Sequence, residues 1–124
     1  MDKEIVQKPT GKELLILGIL WKNGPSTVRQ VNDQMNIEQK TGYTTTLKFM
    51  QIMTKKGILL RDDSKFQHVF TPAVSQEATQ NQAVDDMIDK VFGGSAQKLV
   101  MQALSRQKVP TDQMEQIRQL LDEM

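Results

Sequence analysis

Thr44, Thr45 and Lys48 place two hydroxyls, each with a neighbouring methyl, one turn away from an ammonium group. Hydroxyls can meet phosphates or base edges, threonine methyls can pack on the thymine methyl, and a lysine can reach guanine or a phosphate. These residues lie in Tyr43 to Lys56, a helix-length run in which Thr46, Phe49, Met50 and Met53 recur at i, i+3, i+4 and i+7. The opposite face then carries Thr44, Thr45, Lys48, Gln51 and Ile52, mostly small or polar groups that can enter a groove. Three threonines in succession are poor helix formers, so propensity does not account for them, although an N-terminal cap accounts for one.

Other constellations read as structure. Asp85 and Asp89 share the polar side of a helical segment with no accompanying His or Cys, and Asp86 lies between them, so a solvated face is expected. Asp62-Asp63-Ser64 lacks the later ligands of a calcium loop and reads as a turn. His68 alternates with Phe66 and Phe70, which suggests a partly buried structural histidine. The eight methionines fall mainly on apolar stripes as core filler. Gly93-Gly94-Ser95 has no following lysine in phosphate-binding register and reads as a joint between helices. No nucleophile, base and orienter occur together, so neither an enzyme nor a cofactor is expected.

Composition supports this. The chain has 124 residues, 38% hydrophobic and 25% charged, enough for one modest core. With no cysteine and one histidine, thiolate chemistry and a multi-histidine zinc site are excluded. The longest apolar run, Leu14 to Trp21, is far short of the ~20 residues of a membrane span. No signal segment opens the chain, so a cytoplasmic location is expected. The net charge of +1 hides an asymmetry: residues 1–74 hold eleven Lys/Arg against seven Asp/Glu (+4), and residues 75–124 hold five against eight (−3). A basic head on an acidic tail suits a nucleic-acid binder with a separate assembly segment.

The elements that must position these groups follow from capping and periodicity. Thr10-x-x-Glu13 is a capping box for a first helix with a Leu14, Leu17, Leu20, Trp21 stripe, stopped by Asn23-Gly24-Pro25. Ser26 begins a second, short helix with Val28, Val31 and Met35 inward. The Tyr43 helix closes on Lys55-Lys56-Gly57, and Ile58 to Thr71 reads as a β-hairpin turning at Asp62-Asp63-Ser64-Lys65. Three helices followed by a hairpin is the order of a winged helix-turn-helix. The expected fold is therefore mainly α with a small β-hairpin wing, divided into a winged-helix DNA-binding domain (1–74) and a three-helix dimerisation segment (75–124).

That segment has apolar stripes at Val84, Met87, Ile88 and Val91; at Ala96, Leu99, Val100, Ala103 and Leu104 after a Ser95 cap; and at Met114, Ile117, Leu120, Leu121 and Met124 after a Thr111 cap. Three short helices cannot easily bury such stripes against one another, so a second copy of the chain is the expected cover. Arg61 and Lys65, at the hairpin, are candidates for DNA backbone contact beside Asp62 and Asp63.

Thr10-x-x-Glu13 with Ile19-Leu20-Trp21, Tyr43-Thr44-Thr45-Thr46-Leu47, Lys55-Lys56-Gly57-Ile58-Leu59, Phe70-Thr71-Pro72 and Phe92-Gly93-Gly94-Ser95 occur in the order and spacing of a known family. From about residue 8 to 123 the chain resembles the BlaI/MecI/CopY family of winged-helix transcriptional repressors, the penicillinase repressor family. The resemblance implies a homodimer that binds a palindromic double-stranded DNA operator and blocks transcription. It places the family's Tyr-Thr-Thr on Tyr43, Thr44 and Thr45, with Lys48 where a threonine is common and Ile52 where an arginine is often found. β-Lactam-responsive members are released from DNA when a membrane sensor-protease triggers cutting at an Asn-Phe bond, which aligns with Gln102-Ala103 here. The metal-binding cysteine pair of copper-responsive members is absent. Two other readings stay open: a ligand-sensing winged-helix regulator, and a winged-helix protein-interaction module without DNA binding.

Overall fold

The computed structural model describes residues 8–64 and 66–124. Its elements run α1 (Gly11–Asn23), α2 (Val28–Glu38), α3 (Tyr43–Lys55), β1 (Leu59–Asp62), β2 (Val69–Pro72), α4 (Gln76–Lys90), α5 (Ala96–Arg106) and α6 (Thr111–Glu123). The chain divides into two compact units, Met1–Thr79 and Gln80–Met124.

The first unit is a winged helix-turn-helix. Its core joins Ile16, Leu17 and Leu20 of α1, Val28, Val31 and Met35 of α2, Met50 and Met53 of α3, and Ile58, Leu59 and Phe70 around the hairpin. The inward face of α1 is Glu13, Ile16, Leu17 and Leu20, so the expected stripe is corrected at its start: Leu14 is exposed and Trp21 only half-buried. The Trp21 indole N–H donates to the Val74 carbonyl at 3.2 Å, tying the end of α1 to the chain leaving β2.

The capping box at Thr10 forms, with the Thr10 N–H donating to Glu13 Oε1 at 2.9 Å. The same carboxylate, only 2% exposed, receives the Lys56 ammonium at 2.8 and 3.0 Å. A lysine that reads as a partner for the α3 dipole thus clamps the far end of α3 to the start of α1. Gly57, at φ 85°, makes the turn that allows this: its N–H reaches the Thr54 carbonyl, and the Ile58 N–H reaches that of Met53.

Helix α2 begins one residue later than expected. Thr27 is its cap, in a box with Gln30, whereas Ser26 pairs with Phe70 through N–H to O bonds of 3.1 and 2.8 Å in the two directions. Ser26 therefore lies beside β2 as a one-residue third strand, because the Gly24-Pro25 bend leaves its backbone groups facing that edge.

The hairpin is antiparallel, with Leu59 opposite Pro72 and Arg61 opposite Phe70. Its strands are shorter than the alternation suggests. Phe66 and His68 lie in the connecting loop, Phe66 wholly exposed and the His68 side chain 52% exposed, so the histidine expected to be partly buried in a strand is corrected to a surface loop residue. The Asp62 carboxylate accepts from the Ser64 N–H and Oγ, which turns the chain before Phe66 can join the ladder.

A buried amide orders the junction of α2 and α3. Asn32 Nδ2 donates to the Thr41 carbonyl at 2.9 Å and to Thr46 Oγ1 at 2.8 Å, and the Asn36 side-chain Oδ1 accepts from the Thr41 N–H at 2.6 Å. Asn32 and Thr46 are both buried, so these bonds satisfy groups that water cannot reach.

In the second unit, all of whose residues are described, no residue from Gln80 to Met124 is buried. Helix α4 gives way to α5 through Gly93 and Gly94, both at positive φ, and Ser95 caps α5 by accepting from the Lys98 N–H. At α6 the cap is Pro110 with no side-chain bond, and Thr111 is the first helical residue, which corrects the expected threonine cap.

Two stability predictions follow from these contacts. Glu13→Ala strands Lys56 beside the core and opens the α1 cap, and should destabilise the chain by about 3 kcal/mol in urea unfolding. Asn32→Ala leaves Thr46 Oγ1 and the Thr41 carbonyl without their amide donor, and should cost about 2 kcal/mol in the same measurement.

Candidate nucleic-acid interface

Burial fixes the rotation of α3. Thr46, Met50 and Met53 are buried and Leu47 and Phe49 half-buried, so helical periodicity turns Thr44, Thr45, Lys48, Gln51 and Ile52 to solvent. Thr44, Thr45, Lys48, Phe49 and Ile52 line one shallow depression of about 380 Å³ on this outer surface. There is no acidic residue in the first turn of α3 and no side-chain cap on Gly42, so the helix N-terminus carries positive backbone potential undiminished by a local carboxylate. The third threonine of the run serves packing instead, with its hydroxyl held by Asn32 and lying 3.8 Å from the Met35 sulfur.

Tyr43 opens the helix half-exposed, with the Arg29 guanidinium 5.0 Å from the centre of its ring. This cation–π contact joins the first turns of α2 and α3. Arg29 escapes a reading by periodicity, because it meets Tyr43 only through the fold; its position on the polar side of α2 was the one available hint. Lys56 and Asn32 were missed in the same way, although Asn32 interrupts the stripe of Val28, Val31 and Met35 and so carried a signal.

Arg61 projects from the same side of the hairpin as Leu59 and Phe70, toward α3. With Arg29, Tyr43, Gln51 and the loop residues Phe66 and His68 it borders an open groove of about 620 Å³ between the two helices and the wing. The Arg61 guanidinium is held by Asp63, Nε to Oδ1 at 2.8 Å and Nη2 to Oδ2 at 3.2 Å. Of the residues singled out in the sequence, the structure thus groups Thr44, Thr45 and Lys48 on one outer surface and sets Tyr43 and Arg61 on the adjoining groove. Lys65 lies outside the described residues. Among the described residues, no group of three or more His, Cys, Asp or Glu side chains is placed to hold a metal ion, and no helix is long and apolar enough to cross a membrane.

The residues marked out on α4 to α6 show a different character. Val84, Val91, Val100, Ala103, Leu120 and Leu121 are exposed, and Ile88, Leu99, Leu104 and Ile117 are no more than half-buried. The amphipathic stripes therefore exist, with their apolar sides only partly covered in the single chain.

Two proteins described as transcriptional regulator BlaI, from two strains of Mycobacterium tuberculosis, are each 26% identical over 114 residues, spanning 90% of this chain and 81% of the relative. The solution structure of Bacillus licheniformis BlaI, in its monomeric form with the blaP half-operator, superposes with a TM-score of 0.52 at 18% identity, covering 58% of this chain and 88% of that one. The family description "Penicillinase repressor" matches residues 9–123. With that match running from the α1 capping box to the last turn of α6, the chain belongs to the penicillinase repressor family.

Proposed function

We propose that the protein is a dimeric transcriptional repressor that lays the outer face of α3 in the major groove of a palindromic operator. The observation that carries this reading is the joint exposure of Thr44, Thr45 and Lys48 on one helix face, flanked by Arg29 and Arg61. The threonines offer hydroxyls to phosphates and methyls to thymine, Lys48 reaches a guanine edge or phosphate one turn on, and Tyr43 is steadied by Arg29. Arg61 and Lys65 supply backbone contacts from the wing. The Bacillus licheniformis BlaI structure holds the monomeric form in complex with the blaP half-operator, which supports DNA as the partner.

The dimer rests on the second unit. A stretch of 45 residues that buries none of its own side chains, and leaves Val84, Val91, Val100, Leu120 and Leu121 exposed, needs an apolar cover. A second copy supplies it with the same stripes, and a two-fold axis then sets two recognition helices about 34 Å apart, one turn of DNA. The boundary expected near residue 75, a few residues before the division of the two units at Thr79 and Gln80, would separate reading from assembly. Release through a membrane sensor-protease belongs to the same family reading, but Gln102-Ala103, both exposed in α5, lack the Asn-Phe chemistry, which argues against cutting at that bond.

Two outcomes are expected. Lys48→Ala should weaken binding to a duplex from the promoter region of the protein's own gene about 10-fold in a gel-shift titration. If wild-type binding to that duplex is absent, or insensitive to added salt, the DNA-binding reading is wrong. In sedimentation equilibrium the intact chain should be a dimer at micromolar concentration, and Leu120→Asp with Leu121→Asp should make it monomeric while the first unit keeps its own melting transition.

A further inference from the structure

We propose that Asp63 is a specificity-determining residue of the wing: its carboxylate occupies Arg61 as an internal anion that a DNA phosphate must displace. The inference rests on the DNA-binding reading above and deepens it. Arg61 is the described cation that β1 directs into the groove between the wing and α3, and both prongs of its fork are already engaged by Asp63. That two-point geometry is the one a guanidinium offers to a phosphate, so carboxylate and phosphate compete for the same donors. The neighbouring Asp62 accepts at its Oδ1 from the Ser64 N–H at 2.9 Å and Oγ at 2.6 Å. His68 Nε2 stands 3.7 Å from Asp63 Oδ1, the oxygen that Arg61 Nε reaches.

Folding does not explain the pair, since exposed ion pairs two residues apart add little stability. Its consequence is electrostatic. While Asp63 holds Arg61 the pair is neutral, and Arg61 contributes no net counterion release on meeting an arbitrary duplex. When α3 is seated on its operator, the wing is brought against the backbone, and a phosphate held in place can take Arg61 from Asp63. The carboxylate thereby suppresses sequence-independent grip and leaves the threonine face to choose the site.

The test measures binding of the full-length chain to the promoter-region duplex and to a duplex of unrelated sequence, each over a range of salt. Asp63→Asn should tighten binding to the unrelated duplex by about 3- to 10-fold and steepen its log–log salt slope by about 0.9, the value of one added phosphate contact, so the ratio of specific to unrelated affinity falls. In an Arg61→Ala background the same substitution should change neither quantity. An unchanged slope in Asp63→Asn, or an equal effect with and without Arg61, overturns the proposal while leaving the DNA-binding reading in place. A wild-type chain with no salt-dependent DNA binding overturns both.

Discussion

The hydrogen bond from buried Asn32 to Thr46 is the constraint on which the candidate interface depends. A threonine hydroxyl inside an apolar core needs a partner, and the one that meets it is an amide from the preceding helix. With Thr46, Met50 and Met53 committed inward, 100° per residue leaves Thr44, Thr45 and Lys48 no orientation but outward. The same amide holds the Thr41 carbonyl and Asn36 holds the Thr41 N–H, so the turn leading into α3 is set by the helix before it. At the other end, the Lys56–Glu13 pair prevents α3 from swinging on its last turn. The two anchors are polar and lie at opposite ends of a short helix whose middle is packed by methionine, a side chain that specifies orientation poorly by itself.

Much of this architecture was legible in the chain. The Thr10-x-x-Glu13 box, the Gly24-Pro25 stop, the inward and outward faces of α3 and the Gly93-Gly94 joint are local signals, in which residues a few positions apart decide the conformation. What escaped was non-local. Lys56 and Glu13 are 43 residues apart, Arg29 meets Tyr43 from another helix, and the Ser26 bridge to Phe70 spans most of the first unit. The His68 expectation failed for a related reason: alternation extended a strand through residues that the Asp62 turn had already taken out of the ladder. The outer surface of α3 was readable because it is the complement of a packed face, whereas its neighbours on α2 and the wing depend on the tertiary arrangement.

The two units have opposite economies of burial. The first places eleven apolar side chains in one core within a compact winged helix. The second, made of most of α4 with α5 and α6, leaves its apolar stripes largely at the surface, the observation from which the proposed dimer is argued.

The account turns on the outer face of α3 meeting a duplex, and amide shifts of the ¹⁵N-labelled chain on addition of the promoter-region duplex address it residue by residue. The largest changes should fall at Tyr43 to Lys48, with lesser ones at Arg29 and Arg61, while Ile16 and Leu17 at the back of the core stay still. Shifts confined to α4 through α6, with the Tyr43 to Lys48 amides unmoved, would contradict it.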